Sequence, residues 1–344
     1  MIYTIILITL FLGPVITIMS THLLIMWAGL EMSTLAMIPI LLKTYNPRAI
    51  EAATKYFLTQ STASMIFLLA ITLNYYNLGI WQLTTNTQQY VYYFILIALM
   101  IKLGLAPFHF WVPEVTQATP ILNGLLLLTW QKIAPLIILY NISYMTNTLI
   151  IPISAILSVL MGGWGGLNQT QMRKILAYSS IAHMGWMIAI STFNPMMMIL
   201  NLLVYMLLTI SMFFTVHILS TTSIISYSKM WNKSPLMIST SLIILLSLGG
   251  LPPLTGFLPK WMIIVELTKN NSIFMALSMA LMALLNLFFY IRLIYASSMT
   301  VFPSSNNTKP QAYQNKQKYL FLLAPLTIMS SMALPISPLL INLY

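Results

Sequence analysis

Among the ionisable side chains within or against the long apolar runs of this 344-residue chain, seven could carry protons: Glu31, Lys102, His109, Glu114, Lys132, His183 and Lys260. A charge at the centre of a membrane helix costs about 2.5–3.5 kcal/mol on insertion scales, so Glu31, Lys102, Lys132 and Lys260 would together cost roughly 10–14 kcal/mol if isolated. Pairing, hydration or neutralisation has to relieve that cost. Desolvation disfavours the charged form of an amine, and a neighbouring carboxylate restores it. Lysines sharing an apolar interior with one acid therefore have the chemistry of switchable proton sites. A fixed ion pair between Glu31 and one lysine is the structural alternative. It accounts for one lysine of the three.

The remaining groups carry two readings each. His183 is either a hydrogen-bonded structural histidine or a relay between the lysines. Glu114 either admits protons or is a solvated helix end, and His109 sits beside it in a proline-rich stretch. His22 and His217 lie near the ends of apolar runs and read as structural, and Glu266 lies near the face opposite Glu114.

The elements that must hold these residues are membrane helices. Charged residues make up 6 % of the chain and hydrophobic residues 59 %, with mean hydropathy +0.88. A soluble globular surface uses roughly 25 % charged residues. Runs of about 20 apolar residues, the length of a membrane crossing, lie near 2–20, 22–42, 50–74, 90–114, 118–140, 148–167, 172–192, 195–221, 236–267, 272–298 and 319–342. The sequence thus predicts an all-α polytopic membrane protein of about eleven crossings. The runs are too long, and alternate too little, for a β-barrel. At 1.5 Å per residue, Glu31, Lys102 and Lys132 come out roughly 13–21 Å deep in a core about 30 Å thick. His183 falls at a comparable depth.

Loop charges test the count. Lys43, Arg48, Lys55, Arg173, Lys174, Lys229, Lys233, Lys309, Lys316 and Lys318 all fall in or beside even-numbered loops, and Lys269 alone lies in an odd one. That bias places the N-terminus on the positive side and the C-terminus opposite. Arg292, near the positive end of its run, reads as snorkelling. The excess of basic residues (formal net charge +11) therefore needs no nucleic acid. No basic n-region with a small-residue cleavage site marks a removable leader.

Two stretches break their helices. Lys102-Leu-Gly-Leu-Ala-Pro107 leads to Pro113-Glu114, and Leu248-Gly-Gly-Leu-Pro252-Pro253 leads to Pro259-Lys260. Proline removes an amide hydrogen and collides with the preceding turn. Aligning Gly104 with Gly249 gives an offset of 145 residues. The stretches then sit in the fourth helix of two five-helix sets, 1–145 and 146–300, with 301–344 adding a polar loop and one more helix. An odd number of helices per set inverts the second, and paired broken helices in inverted halves point to an ion site. Gly162-Gly-Trp-Gly-Gly166 reads as close helix packing. With no cysteine, no paired metal-ligand histidines and no phosphate-binding glycine motif, thiolate-held clusters and nucleotide sites have no visible foothold.

The run Lys102-Leu-Gly-Leu-Ala-Pro-Phe-His-Phe-Trp-Val-Pro-Glu114 resembles the signature of the antiporter-like subunits of respiratory complex I. Gly249-Gly-Leu-Pro-Pro-Leu-Thr-Gly-Phe-Leu-Pro-Lys260 belongs to the same resemblance, which spans essentially the whole chain. Family members usually have fourteen helices, and this chain resembles a form lacking the first three. The resemblance implies a Glu31–Lys102 pair, a central Lys132, a bridging His183 and Lys260 in the second broken helix. It implies a line of charges and water driven by quinone reduction elsewhere. Flavin, iron–sulfur clusters and ubiquinone would belong to other subunits, with no cofactor here. The partners implied are other complex I membrane subunits, neighbouring antiporter-like ones among them, and phospholipids. The location implied is the mitochondrial inner membrane with the positive side in the matrix. A free-standing cation/proton antiporter and an assembly scaffold are the rival readings.

Overall fold

The computed structural model describes residues 2–43, 46–82, 87–143, 149–232, 234–299, 320–332 and Pro335. The polar stretch 303–318, with Lys309, Lys316 and Lys318, lies outside the described residues, as do Lys233 and the far end of the run 319–342. The described residues are overwhelmingly helical, and among them no strand occurs. The chain packs as two units, Met1–Ser158 and Val159–Tyr344.

The first unit holds α1 (Ile2–Met19), α2 (Leu23–Leu41), α3 (Pro47–Leu78), α4 (Gln89–Leu103), α5 (Trp111–Ala118), α6 (Ile121–Leu128) and α7 (Ile133–Ile142). Helix α8 (Ile150–Leu167) carries the unit boundary. The second unit holds α9 (Met172–Ser191), α10 (Pro195–Leu219), α11 (Ile224–Lys229), α12 (Pro235–Gly249), α13 (Phe257–Lys269), α14 (Ile273–Ser298) and α15 (Leu320–Met332). Six segments are long and apolar enough to cross a membrane: α2, α3, α6–α7 together, α8, α10 and α14. Shorter apolar helices include most of α1, α4, α12 and part of α15. The Asn-Pro and Ser-Pro punctuation starts α3, α10 and α12, with proline at the first helical turn where its missing N–H is no loss.

Polar side chains are turned inward and satisfied locally. Ser180 donates to the Ala177 carbonyl at 2.6 Å and Thr215 to that of Met212 at 2.7 Å, bonds that hide a hydroxyl against its own helix. Large apolar residues stay outside instead, Phe274, Leu149 and Leu236 among them. That inversion suits an apolar solvent.

Both proline-rich stretches break their helices, and both do so in the same way. Gly104, at φ +71°, ends α4: its N–H reaches the Ile101 carbonyl and the Leu105 N–H that of Met100. Gly250, at φ +82°, follows α12: its N–H reaches the Ser247 carbonyl and the Leu251 N–H that of Leu246. Each is a Schellman ending, which needs a residue that tolerates the left-handed region. The two endings lie 146 residues apart, one more than the offset read from the sequence. Gly104 then matches Gly250, Pro107 matches Pro253, and Pro113 matches Pro259. The helices after the breaks begin at Trp111 and Phe257, also 146 apart. The Gly-Gly pair at 249–250 concealed which glycine turns the chain.

The expected continuous helix over 118–140 is interrupted. A 3₁₀ turn, Trp130–Lys132, separates α6 from α7. Pro135 explains it: its ring excludes the α-helical position of the Gln131 carbonyl four residues earlier. Around this interruption Asn123 donates to the Ile40 carbonyl (2.6 Å), Gln131 to that of Ser33 (3.1 Å) and Trp130 to that of Leu10 (3.1 Å), tying the segment to α2 and α1.

In α8 the glycine run packs two ways. A Cβ at Gly162 would lie 2.8 Å from the Ala182 nitrogen and one at Gly165 2.3 Å from the Tyr178 ring, both on α9. At Gly163 and Gly166 the obstructions, each at 2.8 Å, are Leu285 and Phe289 of α14. Arg292 does more than snorkel. Its guanidinium donates to the carbonyls of Leu167 and Gln169, where α8 ends, and a cation there also meets the negative end of the helix dipole.

Gly104→Ala should lower the thermal-unfolding midpoint of the solubilised protein more than Gly79→Ala does. Both positions are left-handed, which costs a residue with a Cβ roughly 1–2 kcal/mol. A Cβ at Gly104 also meets Val112 at 2.3 Å, whereas at Gly79 it meets nothing within 4 Å. Equal drops would remove the steric part of this account.

Candidate functional site

In the first unit, Lys102 and Lys132 line a single small cavity, with Ser33, Thr34, Tyr56, Gln60, Trp111 and Gln131 among its walls. The two lysines are 6 % and 4 % exposed. Lys102 occupies the last turn of α4, just before the Schellman ending, and Lys132 closes the 3₁₀ turn. Both ammonium groups therefore emerge where an α-helix stops. The Lys102 ammonium has no protein hydrogen-bond partner among the described residues. Trp111 on α5 donates its indole N–H to the Ile101 carbonyl (3.1 Å) and so folds the far side of the break back onto the turn that carries Lys102.

Glu31 faces a different small cavity, lined also by Leu35, Ile38, Phe57 and Ser61. One carboxylate oxygen accepts from the Thr34 hydroxyl at 3.5 Å; the other is buried without a partner among the described residues. Among the described residues the ion pairs are Lys55 with Glu51 (2.6 Å) and Glu114 (2.7 Å), and Lys269 with Glu266 (2.8 Å). Glu31 and Lys102 thus make no direct ion pair. Their cavities instead share three wall residues, Thr34, Tyr56 and Gln60.

The second unit brings His183 and Lys260 to one narrow pocket, with Ser179, Trp186, Leu248, Asn286 and Tyr290. Lys260, in the first turn of α13, reaches back across the break. Its ammonium donates to the carbonyls of Gly249 (2.8 Å) and Leu248 (3.3 Å), at the end of α12. Three donors meet free carbonyls and the negative end of a helix dipole there, a stable seat for a cation. His183 is 7 % exposed, and its ring lies 5.3 Å from that of Tyr205.

Of the secondary candidates, Glu114 lies on the exposed face of α5, bound with Glu51 to Lys55. His109 is buried in the break between α4 and α5, its ring 4.2 Å from that of Phe110. Neither lines the lysine cavities.

Several cavity residues escaped the reading for charge: Gln60, Gln131, Trp186, Asn286 and Tyr290. A signal existed. Tyr56 with Gln60, Ser179 with His183, and Asn286 with Tyr290 are each four apart, which puts a polar pair on one face of an otherwise apolar helix. Among the described residues no group of three or more His, Cys, Asp or Glu is placed to hold a metal.

The family described as NADH:quinone oxidoreductase/Mrp antiporter, TM, matches residues 20–286, and that described as NADH dehydrogenase subunit 2 C-terminus matches residues 287–341. The NADH-ubiquinone oxidoreductase chain 2 of Mus musculus is 59 % identical over 334 residues, covering 97 % of each chain. That of Oryctolagus cuniculus is 60 % identical over 334 residues, covering 97 % of this chain and 96 % of its own. A chain of respiratory complex I from Thermus thermophilus, solved with bound aureothin, aligns with a TM-score of 0.81 and 27 % identity. The alignment covers 97 % of this chain and 79 % of that one.

Gly250→Ala should dislodge Lys260 from its carbonyls, because an added Cβ would lie 2.8 Å from the ammonium nitrogen and 2.9 Å from Cδ. Part of the resulting destabilisation, about 1 kcal/mol, should disappear when Gly250→Ala is made on a Lys260→Ala background. Additive losses in thermal-unfolding midpoints would mean that the two residues do not interact.

Proposed function

The chain belongs to the NADH:quinone oxidoreductase/Mrp antiporter family of membrane subunits, and from that premise we propose that Glu31, Lys102 and Lys132 in one unit and His183 and Lys260 in the other form its proton relay. Its near full-length relatives are the chain 2 subunits of mitochondrial complex I. Its role is accordingly that of a proton-translocating core membrane subunit of the H⁺-translocating NADH:ubiquinone reductase, assembled with other membrane subunits of the complex in the mitochondrial inner membrane. The cofactors of the complex belong to other subunits.

One observation carries the relay. Two sets of buried titratable groups, Lys102 with Lys132 and His183 with Lys260, each share a cavity inside their own unit. The walls of the first supply hydroxyls and amides, the partners that an internal water needs. Protonation of one lysine raises the electrostatic cost of protonating the other, so each proton that enters a cavity disfavours the next. Glu31, whose cavity adjoins that of Lys102, biases the first lysine. Remote quinone reduction would drive the change, and release would follow repulsion.

We further read eleven crossings. In that count α4–α5, α6–α7 and α12–α13 are each one interrupted crossing, and α15 is the last. Residues 1–145 and 146–300 would be the inverted repeats, with 301–344 appended. The like Schellman endings 146 residues apart support the repeat. The basic loops support an N-terminus in the matrix and a C-terminus on the intermembrane side.

Lys102→Met in a fully assembled complex should lower the protons pumped per electron while leaving NADH oxidation by the hydrophilic part intact. Unchanged stoichiometry would sink the assignment. The cysteine-free sequence also allows the orientation to be read directly. A membrane-impermeant thiol reagent should label a Lys229→Cys chain from the matrix side and an Asn270→Cys chain from the other, and labelling of both from one side would refute the eleven-crossing count.

A further inference from the structure

The relay as read above leaves a gap at its start. Glu31 is assigned an influence on Lys102, yet the two side chains occupy separate cavities and make no ion pair. Whatever passes between them crosses the shared wall of Thr34, Tyr56 and Gln60.

The three wall residues are not equivalent. The Thr34 hydroxyl is committed to Glu31 itself, to its backbone carbonyl at 3.0 Å and its carboxylate at 3.5 Å. The Tyr56 ring is packed edge-on against Trp111, with centroids 5.8 Å apart. Gln60 is 5 % exposed, and its amide nitrogen is buried with no partner among the described residues. It stands one turn from Tyr56 on α3, so both present the same face to the two cavities. A primary amide is the one neutral side chain that offers two N–H donors and a carbonyl acceptor on the same rigid plane. Its N–H suits a carboxylate and its carbonyl oxygen suits an ammonium. The dipole that results is aligned with Glu31 negative and Lys102 positive. A buried amide donor left unbonded keeps its desolvation penalty, a standing drive toward whichever neighbour, or bridging water, accepts its bond.

We propose that Gln60 is the positioning residue through which Glu31 acts on Lys102. This inference rests on the reading of Glu31 and Lys102 as members of the proton relay. Gln60 is not itself ionisable at the pH of the membrane. It orients: when Glu31 is charged, its amide N–H groups turn toward the carboxylate and its oxygen is presented to the lysine cavity. When Glu31 is protonated, that alignment is no longer favoured. The titratable side chains lining the two cavities are Glu31 on one side, Lys102 and Lys132 on the other, and Tyr56 on both. Gln60 therefore stands between the single carboxylate and the two amines.

The test is a double-variant cycle in membranes carrying the assembled complex, reading the pH midpoint of proton pumping per electron. Gln60→Met keeps the length and bulk of the side chain and removes its polarity. It should move the midpoint in the same direction as Glu31→Gln, by at least about half a pH unit, a roughly threefold change in proton affinity. The combined variant should move it no further than the larger single change, because both remove one pathway. A wild-type midpoint in Gln60→Met, or shifts that simply add, would overturn the proposal, since a merely structural glutamine would weaken assembly without sharing the pathway of Glu31. Gln60→Leu is read by the same criteria if Gln60→Met does not assemble. Lys102→Met separates the two levels. If that variant pumps normally, the relay reading fails. If it loses pumping while Gln60→Met keeps the wild-type midpoint, only the role of Gln60 fails.

Discussion

An ammonium group inside an apolar helix bundle needs oxygen atoms, and within a continuous α-helix each carbonyl already accepts an N–H from four residues on, leaving one lone pair. The ends of helices are where carbonyls become free. The placement of the lysines follows from this constraint. Lys102 lies in the last turn before a Schellman ending, Lys132 in a 3₁₀ turn, and Lys260 across a break from the two carbonyls it binds. The breaks are therefore more than interruptions around the charges. In the second unit the end of α12 supplies a seat for the charge without a carboxylate, since Glu266, the acid of that unit, is held by Lys269. In the first unit an acid is present, but in a neighbouring cavity. The surroundings of the buried lysines thus differ between the units: a helix terminus in one, a carboxylate in an adjoining cavity in the other.

Much of this was legible in the sequence. Runs of apolar length, the Asn-Pro and Ser-Pro starts, the two proline-rich breaks and the packing role of the glycine run all follow from local rules, and α8 lodges its glycines against two helices as their spacing requires. What escaped was local in another sense. The interruption at Trp130–Lys132 arises from Pro135, three residues into the next helix and hidden within an apolar run. The choice between Gly249 and Gly250 as the turning residue depends on which carbonyls are left to be bonded, and two adjacent glycines do not announce it. The register slipped by one residue for that reason alone.

The site was legible as a set of charges and illegible as a set of cavities. Reading for ionisable residues found the lysines, His183 and Glu31. It also singled out Glu114, which the fold places in a solvated cluster with Lys55 and Glu51. It passed over Gln60, Gln131, Asn286 and Tyr290, because neutral polar residues carry little weight in a search for charge. Yet these make up much of the cavity walls. Amides and hydroxyls in a medium without bulk water have few partners, and their spacing along one helix face marks a cavity as plainly as a lysine does. Nor does sequence alone show that Glu31 and Lys102, read as neighbours, look into different spaces.

The 146-residue register has a mechanical consequence. At equivalent points of the two breaks, Lys102 corresponds to Leu248, and Lys260 corresponds to Glu114. The first unit carries its lysine on the helix before the joint, and the second carries it on the helix after. Lys102 travels with α4, so a change of angle at its joint leaves the lysine attached to the turn it already occupies. Lys260 belongs to α13, whereas the carbonyls that hold it belong to α12. Any flexing of that joint stretches the contact directly. A change of angle at the second break would thus part an ammonium from its oxygens, and the same change at the first would not.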